Sequence, residues 1–341
     1  MRIRSRAPAT RSQLASLLAG LNSVKPRPNA FNKRFEYRVY EYDRGVYVVD
    51  VSGVRGFVNG RGNMLLSNWW ALLLGLLRNL NTGDVLDTGG AGYPLRSAGD
   101  VNAGAAVIDY GTGTTPVEFT QFRLASPAGT ITPTIAVGYL TDRVRVSLSG
   151  TLPATAYELG VRQPLFDTGA YLRYTLLTRV TGSWAAGTGV VYNIDFTAPW
   201  VRAVGDMMYG IHSDINATMV RIDGASFTAR TAADVNAGSI RLVASSEPVT
   251  WSPTLYSIPS PFELTNFYSD LLGTRLVRMV QLAGLISPAA DTTVNTLALY
   301  QDIFDTAGIA HTVCMAALPL ATPITLYAGR NNIVIWRIVA L

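Results

Sequence analysis

Asp100-Val-Asn-Ala-Gly104 recurs as Asp234-Val-Asn-Ala-Gly238, 134 positions further along the chain. In the same register Phe122 meets Tyr256, Leu124 meets Ile258, Ser126 and Pro127 meet Ser260 and Pro261, and Leu148 with Gly150 meets Leu282 with Gly284. Further on, Gln163 and Phe166-Asp167-Thr168 match Gln301 and Phe304-Asp305-Thr306 at an offset of 138, and Tyr192, Ile194 and Phe196 match Val334, Trp336 and Ile338 at 142. The offset grows only in turn-like stretches, where insertions are tolerated. A chain that repeats itself at this length folds one unit twice. Upstream, the run at Trp69 (SNWWALLLGLLRN) pairs with the run at Trp200 (APWVRAVGDMMYG), with Pro199 in a helix-opening position. The repeats are expected over 65–198 and 199–341.

Within each repeat a helix precedes strands. Residues 143–150 (RVRVSLSG) and 190–196 (VVYNIDF) alternate apolar and polar positions, the period of half-buried antiparallel strands. Turns rich in Gly, Thr and Pro punctuate them at 111–116, 149–154 and 184–189. Sheet packed on sheet buries such strands, so the expected class is mainly β: two tandem antiparallel β-sandwich, jelly-roll-like domains, each led by a helix. Residues 35–64 form a β-hairpin region, with 35–42 (FEYRVYEY) and 46–51 (VYVVDV) joined at Asp43-Arg44-Gly45. The longest apolar run, 64–77 (MLLSNWWALLLGLL), is shorter than the ~20 residues needed to cross a bilayer and reads as a buried helix.

Charge divides the chain differently. Only 15% of the 341 residues are charged, against about 25% in an average soluble domain, which suits a surface hidden against copies of itself. The first 34 residues carry Arg2, Arg4, Arg6, Arg11, Lys25, Arg27, Lys33 and Arg34 and no acid, so that segment is +8. The rest holds 20 basic against 23 acidic residues, a body of −3. Residues 1–34 are thus an extended basic arm, with Leu14, Leu17, Leu18 and Leu21 at the spacing of a short amphipathic helix. Such an arm lies along nucleic acid or docks on acidic neighbours. Cys314 is the only cysteine, which excludes intrachain disulfides and cysteine-rich zinc sites, and His212 and His311 stand alone, so neither metal nor cofactor is expected.

The sharpest enzymatic pattern is Leu165-Phe166-Asp167-Thr168-Gly169, which with Val85-Leu86-Asp87-Thr88-Gly89 is the double Asp-Thr-Gly of an aspartic protease. That chemistry needs two carboxylates about 3 Å apart sharing one proton. Against it, the repeat counterpart of Asp167 is Asp305, whose triplet is Asp-Thr-Ala. The competing reading is one hairpin turn used in both copies. Gly111-Thr-Gly-Thr-Thr-Pro116 lacks the Gly-Lys-Ser/Thr ending of a phosphate loop.

One order of motifs goes further: a helix with a Gly- and Asn-rich lead-in, together 60–79, a strand ending Asp109-Tyr110 with Gly111–Pro116, then Ser149-Gly-Thr-Leu-Pro153, Glu158-Leu-Gly-Val161, Leu176-Leu-Thr-Arg179 and a closing strand over 187–196. This order resembles a diffuse class of tailed-phage virion proteins described as structural, tail or head-surface components. The resemblance implies a non-enzymatic virion protein, a capsid, capsid-surface or tail component. Its partners would be copies of itself, other virion proteins and, through the arm, packaged nucleic acid, with no membrane span. It carries over no catalytic, cofactor or metal residue. The alternatives are a major capsid protein with two jelly rolls, a protease-like hydrolase using Asp167, and a carbohydrate- or receptor-binding β-sandwich module.

Overall fold

The computed structural model describes residues 27–32, 37–79, 81–271 and 279–339. They form twenty-three strands and two helices, α1 (Ser67–Arg78) and α2 (Arg202–Ser213). After α1 come a short hairpin (Thr82–Leu86, Gly92–Leu95) and strands Val107–Gly111, Pro127–Ile131, Thr134–Tyr139, Arg143–Thr151, Ala156–Phe166, Leu172–Trp184 and Gly189–Thr197. After α2 the same order returns, from the hairpin Thr218–Val220 and Ser226–Thr228 to the closing strand Asn332–Val339.

The first unit's strands Thr134–Tyr139, Arg143–Thr151, Gly189–Thr197 and Val54–Val58 lie side by side, and Leu172–Trp184, Ala156–Phe166, Val107–Gly111 and Pro127–Ile131 do likewise. The hairpin Val54–Val58 and Arg61–Leu65 joins the two sets. Alternation dictates which face is buried: Val144, Val146 and Leu148 pair in register with Phe196, Ile194 and Tyr192, and all six are buried. The second unit repeats the scheme with a different neighbour. Its closing strand Asn332–Val339 pairs in parallel with Val46–Val51, which continues the sheet to Tyr37–Asp43 and Arg27–Asn32.

The N-terminal region is therefore shared between the units. Val46–Val51 completes the second unit's sheet and, two residues later, Val54–Val58 completes the first's. The crossing is tight: Gly53 has φ +98°, and a Cβ there would sit 2.8 Å from the Ala198 carbonyl oxygen. The Trp200 indole N–H donates to the Ser52 carbonyl at 3.1 Å. The expected arm is also shorter than residue 34, because Arg27–Asn32 pairs as a strand with Tyr37–Asp43. Arg2, Arg4, Arg6, Arg11, Lys25, Lys33 and Arg34 lie outside the described residues.

Three helix expectations change. Met64 and Leu65 belong to the strand Arg61–Leu65, and α1 opens at Ser67, because a continuous apolar run carries no mark of where strand becomes helix. α2 opens at Arg202, so Pro199 precedes it by three residues instead of opening it. The helices start 135 positions apart, which makes Val204, not Trp200, the counterpart of Trp69.

The helices tie the units together. The last carbonyls of a helix have no partner inside it, and here the other unit adds donors beyond the N–H groups of the cap residues Asn79 and Asp214. Gln301 Nε2 donates to the Leu76 carbonyl at the end of α1 (2.8 Å), and Gln163 Nε2 to the Ile211 carbonyl at the end of α2 (3.1 Å). Likewise Ile240 N–H reaches Leu77 O (2.9 Å) and Ala106 N–H reaches His212 O (2.7 Å). Each contact occurs twice with the units exchanged, which is the signature of an isologous, two-fold-like interface. The repeated Asp-Val-Asn-Ala-Gly lies at this joint: Gln163 also bonds Asn102 Oδ1 and Gly104 O, and Gln301 bonds Asn236 Oδ1 and Gly238 O. A single hydrophobic cluster runs through both units, taking in Trp69, Val144, Ile194, Met207, Leu242 and Trp336. α2 comes so close to the first unit that a Cβ on Gly205 would overlap Val144 Cγ1.

Candidate functional site

Both Asp-Thr-Gly triplets are turns. Asp87 Oδ1 accepts the N–H groups of Gly89 and Ala91, and Asp167 Oδ1 those of Gly169 and Tyr171, each at 2.9 Å. Asp305 Oδ1 does the same with Ala307 (2.9 Å) and Ile309 (2.8 Å). Asp is favoured there because its short carboxylate reaches N–H groups two and four residues on. The left-handed backbone falls on the fourth residue, Gly90 (φ 87°), Ala170 (φ 61°) or Gly308 (φ 83°), so glycine at the third position is dispensable and Asp-Thr-Ala serves equally.

The second carboxylate oxygen of each turn meets a nitrogen of a basic side chain. Arg173 Nε lies 3.0 Å from Asp167 Oδ2, and its Nη1 lies 3.6 Å from Asp87 Oδ2, so one guanidinium joins the two triplets. In the second unit His311 Nε2 stands 2.9 Å from Asp305 Oδ2. The Tyr171 backbone N–H, helped by Arg173 and opposed by burial, holds the Asp167 carboxyl below its usual range. A proteolytic dyad needs one of its carboxyls raised so that a proton is shared. An arginine between two carboxylates works in the opposite direction.

The motifs that carry the phage resemblance converge on a second cluster. Glu158 and Arg179, both fully buried, pair across neighbouring strands, with Arg179 Nε and Nη2 at 3.0 and 2.7 Å from Glu158 Oε2. Glu158 also accepts the backbone N–H groups of Gly113 (3.1 Å), Ala125 (2.9 Å) and Ser126 (2.6 Å). Arg179 also donates to Thr115 Oγ1, Pro116 O and Gln121 Oε1. Burial alone would raise the Glu158 carboxyl, but the two backbone N–H groups of Ser126 and Ala125 together with Arg179 hold it below its ordinary value. Gly111–Pro116 therefore closes on an internal ion pair, giving Glu158 one N–H, from Gly113, and Arg179 two acceptors, Thr115 Oγ1 and Pro116 O. A Cβ on Gly113 would lie 2.5 Å from Glu158 Oε1, which is why glycine stands there. In the second unit Thr296 and Ala317 occupy the paired positions, and Thr296 Oγ1 donates to Glu247 O (2.9 Å) instead.

Apolar side chains project at the hairpin tips. Tyr171 is 69% exposed and its counterpart Ile309 59%, with Leu172 and Tyr174 also exposed beside Tyr171. Arg162 stacks on the Tyr174 ring at 4.8 Å while its Nε bonds Asp109 at 2.7 Å. The corresponding face of the second unit is polar, carrying the Arg241–Asp302 pair and Thr312. Cys314 is buried, and burial pushes its thiol up, away from nucleophilic use. His212 and His311 belong to different clusters, and among the described residues no group of three His, Cys, Asp or Glu side chains could hold a metal. Among the described residues no helix is long and apolar enough to cross a membrane.

Glu158, Arg179 and Arg173 are the site residues that sequence reasoning missed. Glu158 and Arg179 stood inside recognised motifs, but nothing in the sequence marked them as partners, since the pairing spans 21 residues and passes the register shift at Val161/Arg162. Comparison of the chain with protein-family models, curated proteins and solved structures finds no match.

Proposed function

We propose that this chain is a non-enzymatic structural subunit of a viral particle, building a capsid, a capsid surface or a tail by association with copies of itself and with other virion proteins. The observation that carries the reading is the division of labour among side chains. The charged clusters at Asp167, Glu158 and Asp305 are committed to holding loops, whereas the hairpin tips present Tyr171, Leu172, Tyr174 and Ile309 to the outside. Exposed aromatic and aliphatic groups of this kind gain most when covered by a partner surface. The low charged fraction and the resemblance on Gly111–Pro116, Glu158–Val161 and Leu176–Arg179 point the same way. The basic arm would follow packaged nucleic acid, gaining affinity by release of counterions.

Electron microscopy of the purified full chain tests this. Particles, sheets or tubes are expected, and the Tyr171→Ser, Leu172→Ser, Tyr174→Ser triple variant is expected to stay dispersed. A wild-type chain that remains monomeric at every concentration and salt condition, or that cleaves peptides in a manner abolished by Asp167→Asn, overturns the reading.

A further inference from the structure

The joint between the units is built twice, and the two versions differ at His212. In one, Gln301 Nε2 bonds Leu76 O, Asn236 Oδ1 and Gly238 O, Leu77 stands next along α1, and Gln301 Oε1 has no hydrogen-bond partner. In the other, Gln163 Nε2 bonds Ile211 O, Asn102 Oδ1 and Gly104 O, and His212 takes the place of Leu77 with Nδ1 2.8 Å from Gln163 Oε1. Three carbonyl acceptors fix the orientation of the Gln163 amide, so Oε1 faces the ring and Nδ1 carries the proton. Nε2 is then a bare lone pair, fully buried and without a partner.

Most charged groups around this node are otherwise engaged, while Asp234 Oδ1 is buried without a hydrogen-bond partner. Asp214, just past the end of α2, accepts from the Asn102 amide, and Asp100 accepts the Asn102 N–H. Asp234 is the repeat counterpart of Asp100 and lies near it with Arg96. Asp206, further back on α2, binds Tyr139 and Arg202, and Arg162 on the packed strand binds Asp109.

We propose that His212 makes this joint acid-labile: proton uptake at Nε2 places a charge without a partner between the two units and loosens their interface. Burial lowers the imidazole from its ordinary value of 6.5 to about 4. Because the folded value lies below the unfolded one, the neutral ring's contribution is complete above 6.5 and is lost as pH falls towards 4. Burial raises the carboxyls of Asp100, Asp109 and Asp206, so their protonation favours the folded chain and opposes the effect. Asp167 and Asp305 are held low and give up stability only below their ordinary 3.8.

Urea unfolding of the full chain, followed by tryptophan fluorescence between pH 7.5 and 4, tests the proposal with His212→Leu and the exchange variant Leu77→His/His212→Leu. Each copy of the joint already accommodates one of the two residues. Relative to His212→Leu, the wild-type unfolding constant is expected to rise on the order of a hundredfold over this range. The exchange variant, with its imidazole facing Gln301 Oε1, is expected to restore the rise. Equal pH dependence of wild type and His212→Leu overturns the proposal. Should His212→Leu fail to fold, the single Leu77→His variant decides: a steeper acid response than wild type supports it and an unchanged one overturns it.

Discussion

At the scale of single residues, Glu158 and Arg179 show how burial changes the worth of an ion pair. Removing one partner of a buried pair typically costs 3–5 kcal/mol, because the other is left uncompensated, whereas replacing both can be nearly neutral. Glu158→Ala is therefore expected to lower stability by about 3–5 kcal/mol. Glu158→Thr/Arg179→Ala, which installs the pair found at Thr296 and Ala317, is expected to cost less than Glu158→Ala alone. Denaturant titrations of the three proteins measure this, and a double variant worse than the single would refute the account. The turn at Asp167 was legible in the sequence because its bonds are local, reaching only Gly169 and Tyr171. Arg173 was not, because the contact that joins Asp87 to Asp167 forms only when two hairpins lie side by side.

At the scale of elements, alternation made the strands legible and apolar continuity obscured the helices. Arg143–Thr151 stands where its period placed it, with Val144, Val146 and Leu148 inward. Met64–Leu77 hid a strand end and a helix start in one apolar run. The approach of α2 to the first unit depends on a missing side chain at Gly205. Gly205→Ala gains helix propensity worth about 1 kcal/mol but forces a methyl into Val144, and overpacking costs about 1–3 kcal/mol. A net loss is expected, visible as a lower Tm, and partly recovered by Val144→Ala, which opens the space. An unchanged or raised Tm in Gly205→Ala would mean that α2 sits further from that strand.

At the scale of the whole molecule, the chain behaves as a fused pair. Each unit ends the other's helix, and one hydrophobic cluster crosses both. A fragment of residues 199–341 lacks Val46–Val51 at its closing strand and Gln163 at the end of α2, so it is expected to be insoluble or unfolded alone. Co-expressed with residues 1–198 it is expected to recover a one-to-one complex by size-exclusion chromatography. A stable, monomeric 199–341 fragment would show that the units fold independently. The sequence by itself determined that there are two copies of a β unit, where the most strictly alternating strands run and that Asp167 and Asp305 sit in one kind of turn, because repeats, alternation and short-range hydrogen bonds are local in the chain. Only the tertiary structure decided which unit receives which helix end, that Val46–Val58 serves both sheets, and that Gly111–Pro116 closes on Glu158 and Arg179. Those outcomes rest on donors and acceptors far apart in sequence, and their partners are chosen only when burial leaves them no water to bond instead.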